Sequence, residues 1–231
     1  MRAWPGKDLV DKSEVIQKLK AIGVIPVVRA SSVEEAIHVV EAIKAGGLPI
    51  LEITMTVPRA VQLIQTLAGR YGEEAIVGAG TVLDAKTARA CRAAGAQFIV
   101  SPALNLETIR CCQEEGVAVI PGALTPTEIV EAWNAGADMV KVFPASAMGG
   151  ASYIKSLKAP LPQIELVPTG GVTLATAASF IAAGAAALGV GTDLVDIKAI
   201  RSGQPEKVAE SARAYVEAVR KARERDKRVA A

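Results

Sequence analysis

Ala135-Gly136-Ala137-Asp138-Met139-Val140-Lys141-Val142-Phe143-Pro144 contains the unit from which the chain is built. Ala-Gly-Ala ends a helix-like segment, and a short β-branched run that reads as a buried strand follows at once. The same tripeptide recurs at residues 94–96 and 183–185, each time just before such a run. Lys141 breaks the apolar pattern. Burying an ammonium group is costly unless it is paired or loses its proton. Lys141 is therefore either an amine held neutral to attack a carbonyl carbon, or a lysine paired with a buried carboxylate or a bound anion.

Outward from this stretch the unit repeats eight times: a Val/Ile-rich run, a polar or glycine-containing turn, then an amphipathic helix. The runs are Val24–Arg29, Ile50–Thr54, Ile76–Thr81, Phe98–Ser101, Val117–Gly122, Met139–Phe143, Leu166–Thr169 and Ala186–Val190, and their ends lie 20 to 27 residues apart. That spacing suits compact βα units and predicts an α/β fold, a (β/α)8 TIM barrel. A doubly wound open sheet is the alternative, but it has fewer strands and a dinucleotide fingerprint. Here Gly78-Ala79-Gly80 supplies two of that fingerprint's three glycines, with no acidic residue at the second strand's end. These glycines read as positions where strand and loop approach a ligand closely.

Helix boundaries follow the same logic. Asp11-x-x-Glu14, Ser32-x-x-Glu35 and Thr125-Pro126-Thr127-Glu128 resemble capping boxes. The first opens an additional N-terminal helix before the repeating part. Val33, Ala36, Ile37, Val40 and Ile43 recur with helical period, and Gly46, Gly95, Gly116, Gly136 and Gly184 are expected to end helices by turning left-handed. No linker, low-complexity tract or composition break divides the chain. One domain is expected over 1–231, with the first helix at about 11–22, the barrel at about 23–200 and a last helix at about 204–226.

Composition narrows the function classes. A net charge of +2 gives no field suited to nucleic acid, and the basic cluster Arg220–Arg228 is interspersed with acids, as in a solvated helix end. No apolar run approaches a membrane span, Met1–Asp11 has no hydrophobic signal core, and the cytoplasm is the expected compartment. Cys91, Cys111 and Cys112 fall in helix-like segments and suit packing, as do Trp4 and Trp133. His38, the only histidine, lies among Glu34, Glu35 and Glu41 on a helix surface. Without a His/Cys/Asp cluster at strand ends, no metal is expected.

Barrels of this kind place their chemistry at the C-terminal ends of the strands. Those ends offer one arginine, Arg29; one carboxylate, Glu52, beside Thr54; and one lysine, Lys141, beside Phe143. Glu52 repeats the anomaly of Lys141, an acid between Leu51 and Ile53. Alternation puts it on the face of Ile50 and Thr54, and Lys141 on that of Met139 and Phe143. Both belong to even-numbered strands, whose inward side chains share layers, so the two are expected to meet directly or through a water. A simple buried ion pair is the plainer alternative. The glycine turns Thr169-Gly170-Gly171 and Gly189-Val190-Gly191-Thr192, each leading into a helix, suggest a phosphate cradled by backbone N–H groups and a helix N-terminus.

At these residues the sequence resembles the class I 2-keto-3-deoxy-6-phosphogluconate (KDPG) aldolases. The motifs are Leu51-Glu52-Ile53-Thr54, Val77-Gly78-Ala79-Gly80-Thr81-Val82, Ser101-Pro102, Ile120-Pro121-Gly122, Lys141-Val142-Phe143-Pro144, Pro168-Thr169-Gly170-Gly171-Val172 and Gly189-Val190-Gly191. The resemblance implies a (β/α)8 barrel, a homotrimer, and no metal or organic cofactor. It implies Lys141 as the Schiff-base lysine and Glu52 as general acid/base. Thr81 would help to bind the pyruvate carboxylate; Pro102, Phe143 and Thr169 would line the pocket; Gly170, Gly171, Gly191 and Thr192 would hold phosphate. One departure stands out: Thr56 occupies the place of an arginine that binds the substrate carboxylate in many members, and Arg29 is the candidate replacement.

The activity implied is cleavage of 2-keto-3-deoxy-6-phosphogluconate to pyruvate and D-glyceraldehyde 3-phosphate. The same chemistry on the galactonate epimer or on 4-hydroxy-2-oxoglutarate is the nearest alternative. A phosphosugar isomerase or epimerase would recruit two bases where the strand ends offer only Glu52, and a non-catalytic barrel would not need a buried Lys141–Glu52 pair.

Overall fold

The computed structural model describes residues 11–229, so Trp4 lies outside the described residues. Strands β1 (Val24–Val28), β2 (Ile50–Thr54), β3 (Ile76–Gly80), β4 (Phe98–Val100), β5 (Ala118–Ile120), β6 (Gly122–Ala123), β7 (Val140–Val142), β8 (Leu166–Pro168) and β9 (Leu188–Val190) are buried along their whole length. Helices α1 (Lys12–Ile22), α2 (Val33–Ala45), α3 (Ala60–Tyr71), α4 (Ala85–Ala93), α5 (Leu106–Glu114), α6 (Pro126–Asn134), α7 (Ala151–Lys158), α8 (Leu174–Ala182), α9 (Ile197–Arg201) and α10 (Pro205–Val229) complete the chain. Strands covered on both faces need continuous Val/Ile/Leu/Ala runs, which is how they read.

All strand pairings are parallel. Six strands run in the order β5-β4-β3-β2-β1-β9 and three in the order β6-β7-β8. A bridge between Thr169 and Gly189 links the two sets at one margin. At the other, Pro121 alone separates β5 from β6. Read as one run, the fifth segment divides there because proline has no N–H to donate to a neighbouring strand. The result is an α/β fold with a curled parallel sheet around one apolar core.

α1 lies across the N-terminal ends of the strands. Lys12 pairs with Asp138 just before β7 (3.0 Å), Lys20 with Glu165 before β8, and Arg223 of α10 donates to the carbonyls of Ala21 (2.6 Å) and Ala186 (2.8 Å). Arg223 is thus half-buried rather than part of a solvated basic end. The C-terminal ends of the strands are left for the site.

Three local expectations need correction. Asp11 precedes α1 but forms no capping hydrogen bond, because its carboxylate takes the Ser13 hydroxyl instead. Ser32 caps α2, yet Glu35 completes no box; its carboxylate accepts from Ser31 and Arg201. Gly46 is right-handed, with φ −76°, and the chain turns at Gly47, φ +79°. Gly46 is small for another reason: a Cβ there would meet Ala212 Cβ at 2.7 Å on the packed face of α10. The Thr125–Glu128 box, with Pro126 at the first helical position, is complete.

Candidate active site

Lys141 and Glu52 occupy the middle of strands held on both sides. Lys141 registers with Gly122 and Val167, and Glu52 with Val27 and Gly78, so neither backbone has freedom to shift. Their side chains are 4% and 2% exposed. No ion pair joins them, and Glu52 Oε1 is buried without a hydrogen-bond partner. They nevertheless feel each other. Burial is the main cause that pushes the Glu52 carboxyl above its usual range, opposed by the positive charges of Lys141 and Arg29. Burial likewise pulls the Lys141 ammonium below its usual range, opposed by Glu52 and assisted by Arg29. Both shifts favour the neutral forms: an amine that can attack and a carboxyl that can give as well as take a proton.

Arg29 follows the end of β1. It is exposed, and no described residue forms a salt bridge with it. Thr54 supports it from β2: the Thr54 hydroxyl donates to the carbonyl of Val28 at 3.0 Å and lies 2.6 Å from the Thr56 hydroxyl. Thr54 therefore anchors the backbone just before the arginine, with its hydroxyl committed to protein partners. Thr81 follows β3 with φ +58°, a conformation that costs a β-branched residue about 1–3 kcal/mol and is typical of sites where geometry is imposed.

Phe143 connects the lysine to the glycine turns. Lys141 Nζ lies 5.2 Å from the centroid of its ring, within cation–π range, and Gly170 packs against the other part of that ring. Gly170 (φ +86°) and Gly171 (φ +75°) turn the chain after β8. No described residue accepts a hydrogen bond from the backbone N–H of Gly171, Gly191 or Thr192, while the bridge between Thr169 and Gly189 engages that of Gly170. The helix N-termini are different. The amide of Leu174 at the start of α8 donates to Asp193, and those of Lys198 and Ala199 in α9 donate to Asp196. An anion held here would thus be held by the turns rather than by a helix terminus. Thr169 is buried, Pro102 is half-buried with its carbonyl and the Ala103 amide packed against Gly122, and Thr192 is exposed.

A model of the KDPG and KHG aldolases matches residues 15–211 of this chain. The chain belongs to the KDPG and KHG aldolase family. Among curated relatives, the 2-dehydro-3-deoxy-6-phosphogalactonate aldolase of Escherichia coli K12 is 40% identical over 200 residues, 86% of this chain and 95% of that protein. The KHG/KDPG aldolase of the same organism is 34% identical, over 84% of this chain and 91% of its own length. Among solved structures, KDPG aldolase from Legionella pneumophila, with pyruvate captured at low pH as a covalent carbinolamine, superposes with a TM-score of 0.80 at 30% identity, covering 87% of this chain and 97% of that one. The chain is an aldolase.

In this aldolase two features escaped the sequence reading. Gly78 and Gly80 on one face of β3 make room for protein side chains rather than for a ligand. A Cβ on Gly80 would stand 2.7 Å from both Cγ and Cδ of Glu52, and one on Gly78 would run into the Phe98 ring. Ser146, in the short 3-10 turn after β7, sets its hydroxyl against Gly171, and its backbone N–H donates to Gly170 at 3.2 Å. A small polar residue just past a strand end was the available signal.

Proposed function

We propose that this aldolase works through a Schiff base, with Lys141 as the nucleophile and Glu52 as the proton-transfer group. The observation that carries the reading is the pairing of a buried lysine with a buried carboxylate that has no hydrogen-bond partner, each in the middle of its strand. A pair kept for structure would be joined; this one is held apart, with both members biased toward their neutral forms.

The substrate is 2-keto-3-deoxy-6-phosphogluconate. Neutral Lys141 Nζ adds to its C2 ketone to give a carbinolamine, which loses water to form an iminium ion. Glu52, directly or through one water, takes the C4 hydroxyl proton. The C3–C4 bond breaks, its electron pair moving toward the iminium nitrogen, and leaves an enamine of pyruvate and D-glyceraldehyde 3-phosphate. Protonation at C3 and hydrolysis release pyruvate and restore the amine. Arg29, with Thr81, binds the carboxylate in place of the arginine that Thr56 replaces. Thr54, Pro102, Phe143 and Thr169 shape the pocket, and the turns of Gly170, Gly171, Gly191 and Thr192 receive the phosphate, with the amides of the last three free to donate.

The galactonate epimer is the second reading, supported by the 40% identity to the phosphogalactonate aldolase. Turnover of the two epimers, measured side by side, separates them. The bridge at Thr169–Gly189 and the single proline between β5 and β6 support a closed (β/α)8 barrel forming one domain. Exposed Leu83, Met148 and Leu174, the last at the start of α8, support burial in a homotrimer, which native mass spectrometry would show as three times the 23.9 kDa chain. The central test is incubation with pyruvate and borohydride followed by peptide mass spectrometry. A reduced pyruvate adduct on Lys141 is expected, and an adduct on another residue, or none, overturns the assignment.

A further inference from the structure

The turn after β9 is fastened by a residue that the proposed chemistry does not use. Asp193 follows Thr192 and directs one carboxylate oxygen, Oδ2, at two donors: the amide of Leu174 in α8 (3.0 Å) and the hydroxyl of Tyr215 in α10 (2.5 Å). Ser211, one turn earlier on α10, donates to the Asp193 carbonyl at 3.3 Å. Tyr215 is fully buried, and Asp193 is its side chain's partner among the described residues. A carboxylate is an unexpected neighbour for turns that receive a phosphate, because it occupies the helix amide that an anion would use and repels the anion itself. Its position is explained if it acts on the loop rather than on the ligand.

We infer that Asp193 is a positioning residue for the phosphate end of the substrate: it ties the Gly191–Thr192 turn to α8 and α10, setting it beside the Gly170–Gly171 turn. The inference rests on the phosphate assignment made above. Two consequences follow from the contacts. The amide of Leu174 is closed to the phosphate, which is left to the two glycine turns. Tyr215, a buried side chain of α10, ties this turn down through Asp193 and forms no hydrogen bond with Lys141 or Glu52, so its loss should affect phosphate binding and leave the imine chemistry alone.

The test compares kcat and KM on 2-keto-3-deoxy-6-phosphogluconate and on its dephosphorylated analogue. For Tyr215→Phe and Asp193→Ala, kcat/KM on the phosphorylated substrate should fall roughly tenfold, through KM, as expected for one lost hydrogen bond to a charged group. Turnover of the dephosphorylated analogue should stay within about twofold, since its binding uses no phosphate contact. Asp193→Asn keeps an oxygen for both donors and should keep the wild-type ratio. If Tyr215→Phe does not fold, the exposed position 193 carries the comparison. Equal losses on both substrates, or no loss on either, would make the contacts merely structural and overturn the inference. Loss in Asp193→Asn as large as in Asp193→Ala would assign the effect to charge and overturn it as well. A wild-type enzyme without preference for the phosphorylated substrate would overturn the phosphate assignment itself, and this inference with it.

Discussion

Adding one methyl group at Gly80 should disable Glu52 without touching it. Gly80 ends β3 opposite Thr54, its φ is outside the left-handed region, and its carbonyl accepts from the Met55 amide at 2.8 Å, so alanine fits the backbone. The side chain does not fit. Its Cβ would stand 2.7 Å from Cγ and Cδ of Glu52, where ordinary contact begins at 3.4 Å, and nearer still to Oε1. The carboxylate must therefore retreat by at least about 0.7 Å, and because β2 is held on both sides only side-chain rotation can supply that movement. A displacement on the order of 1 Å at a reacting group costs about 10²-fold, or about 2.7 kcal/mol in the barrier. Overpacking should also cost about 1–3 kcal/mol of stability, partly offset by about 0.4–1 kcal/mol from the stiffer unfolded chain. The assay is enzyme-catalysed exchange of the pyruvate methyl protons in deuterated water, followed by NMR, beside borohydride trapping. Gly80→Ala should trap pyruvate on Lys141 yet exchange its protons about 10²-fold more slowly. Gly78→Ala is the control, since it stresses the same strand through Phe98 rather than Glu52. Exchange and kcat within a factor of about three of wild type in folded Gly80→Ala would refute the placement of Glu52 in proton transfer.

Lys141→Ala should lose the borohydride adduct and nearly all turnover while remaining folded, checked by mass spectrometry and circular dichroism. The rate of imine trapping should rise with pH along a limb lying below the ordinary lysine value of 10.5, and Arg29→Gln should move that limb upward, since Arg29's charge helps to depress Lys141. Glu52→Gln should gain stability over wild type as pH rises above 4.5: the folded-state value of Glu52 is raised, so its contribution is present below 4.5 and lost as pH rises through the folded value. Urea titrations at pH 4 and pH 7 check this, and a variant advantage no larger at the higher pH would contradict it.

How much of this was legible depended on whether the signal lay within one segment. Lys141 and Glu52 announced themselves because a charge in a β-branched run is anomalous without any knowledge of its neighbours. Their meeting could be anticipated only through strand alternation. The glycines were harder. Gly78 and Gly80 show from sequence that one face of β3 is empty, but the neighbour that fills it depends on the register Glu52–Gly78 and Gly78–Phe98, which is a property of pairing. Gly46 was misread as a left-handed turn for the same reason: its partner, Ala212 of α10, lies far along the chain. Asp193 carries no local oddity at all, because an aspartate in a loop after glycine is ordinary until Tyr215 and Leu174 are seen beside it.

The arrangement of the central pair also bears on why the fold tolerates it. A buried acceptor without a partner costs about 1–3 kcal/mol, and a lysine and glutamate buried but not joined recover little of their desolvation through attraction. Closing the gap between them would improve stability, yet it would hold Lys141 protonated and remove the nucleophile. Instead Glu52 fills the space that Gly80 leaves, and Lys141 Nζ lies 5.2 Å from the centroid of the Phe143 ring. Replacing the glycine relieves nothing, because it adds volume where the carboxylate already sits. The separation that weakens the core is thus the same separation that leaves burial free to pull the Lys141 ammonium below its usual range. The glycine face of β3 gives Glu52 the room to lie where it does.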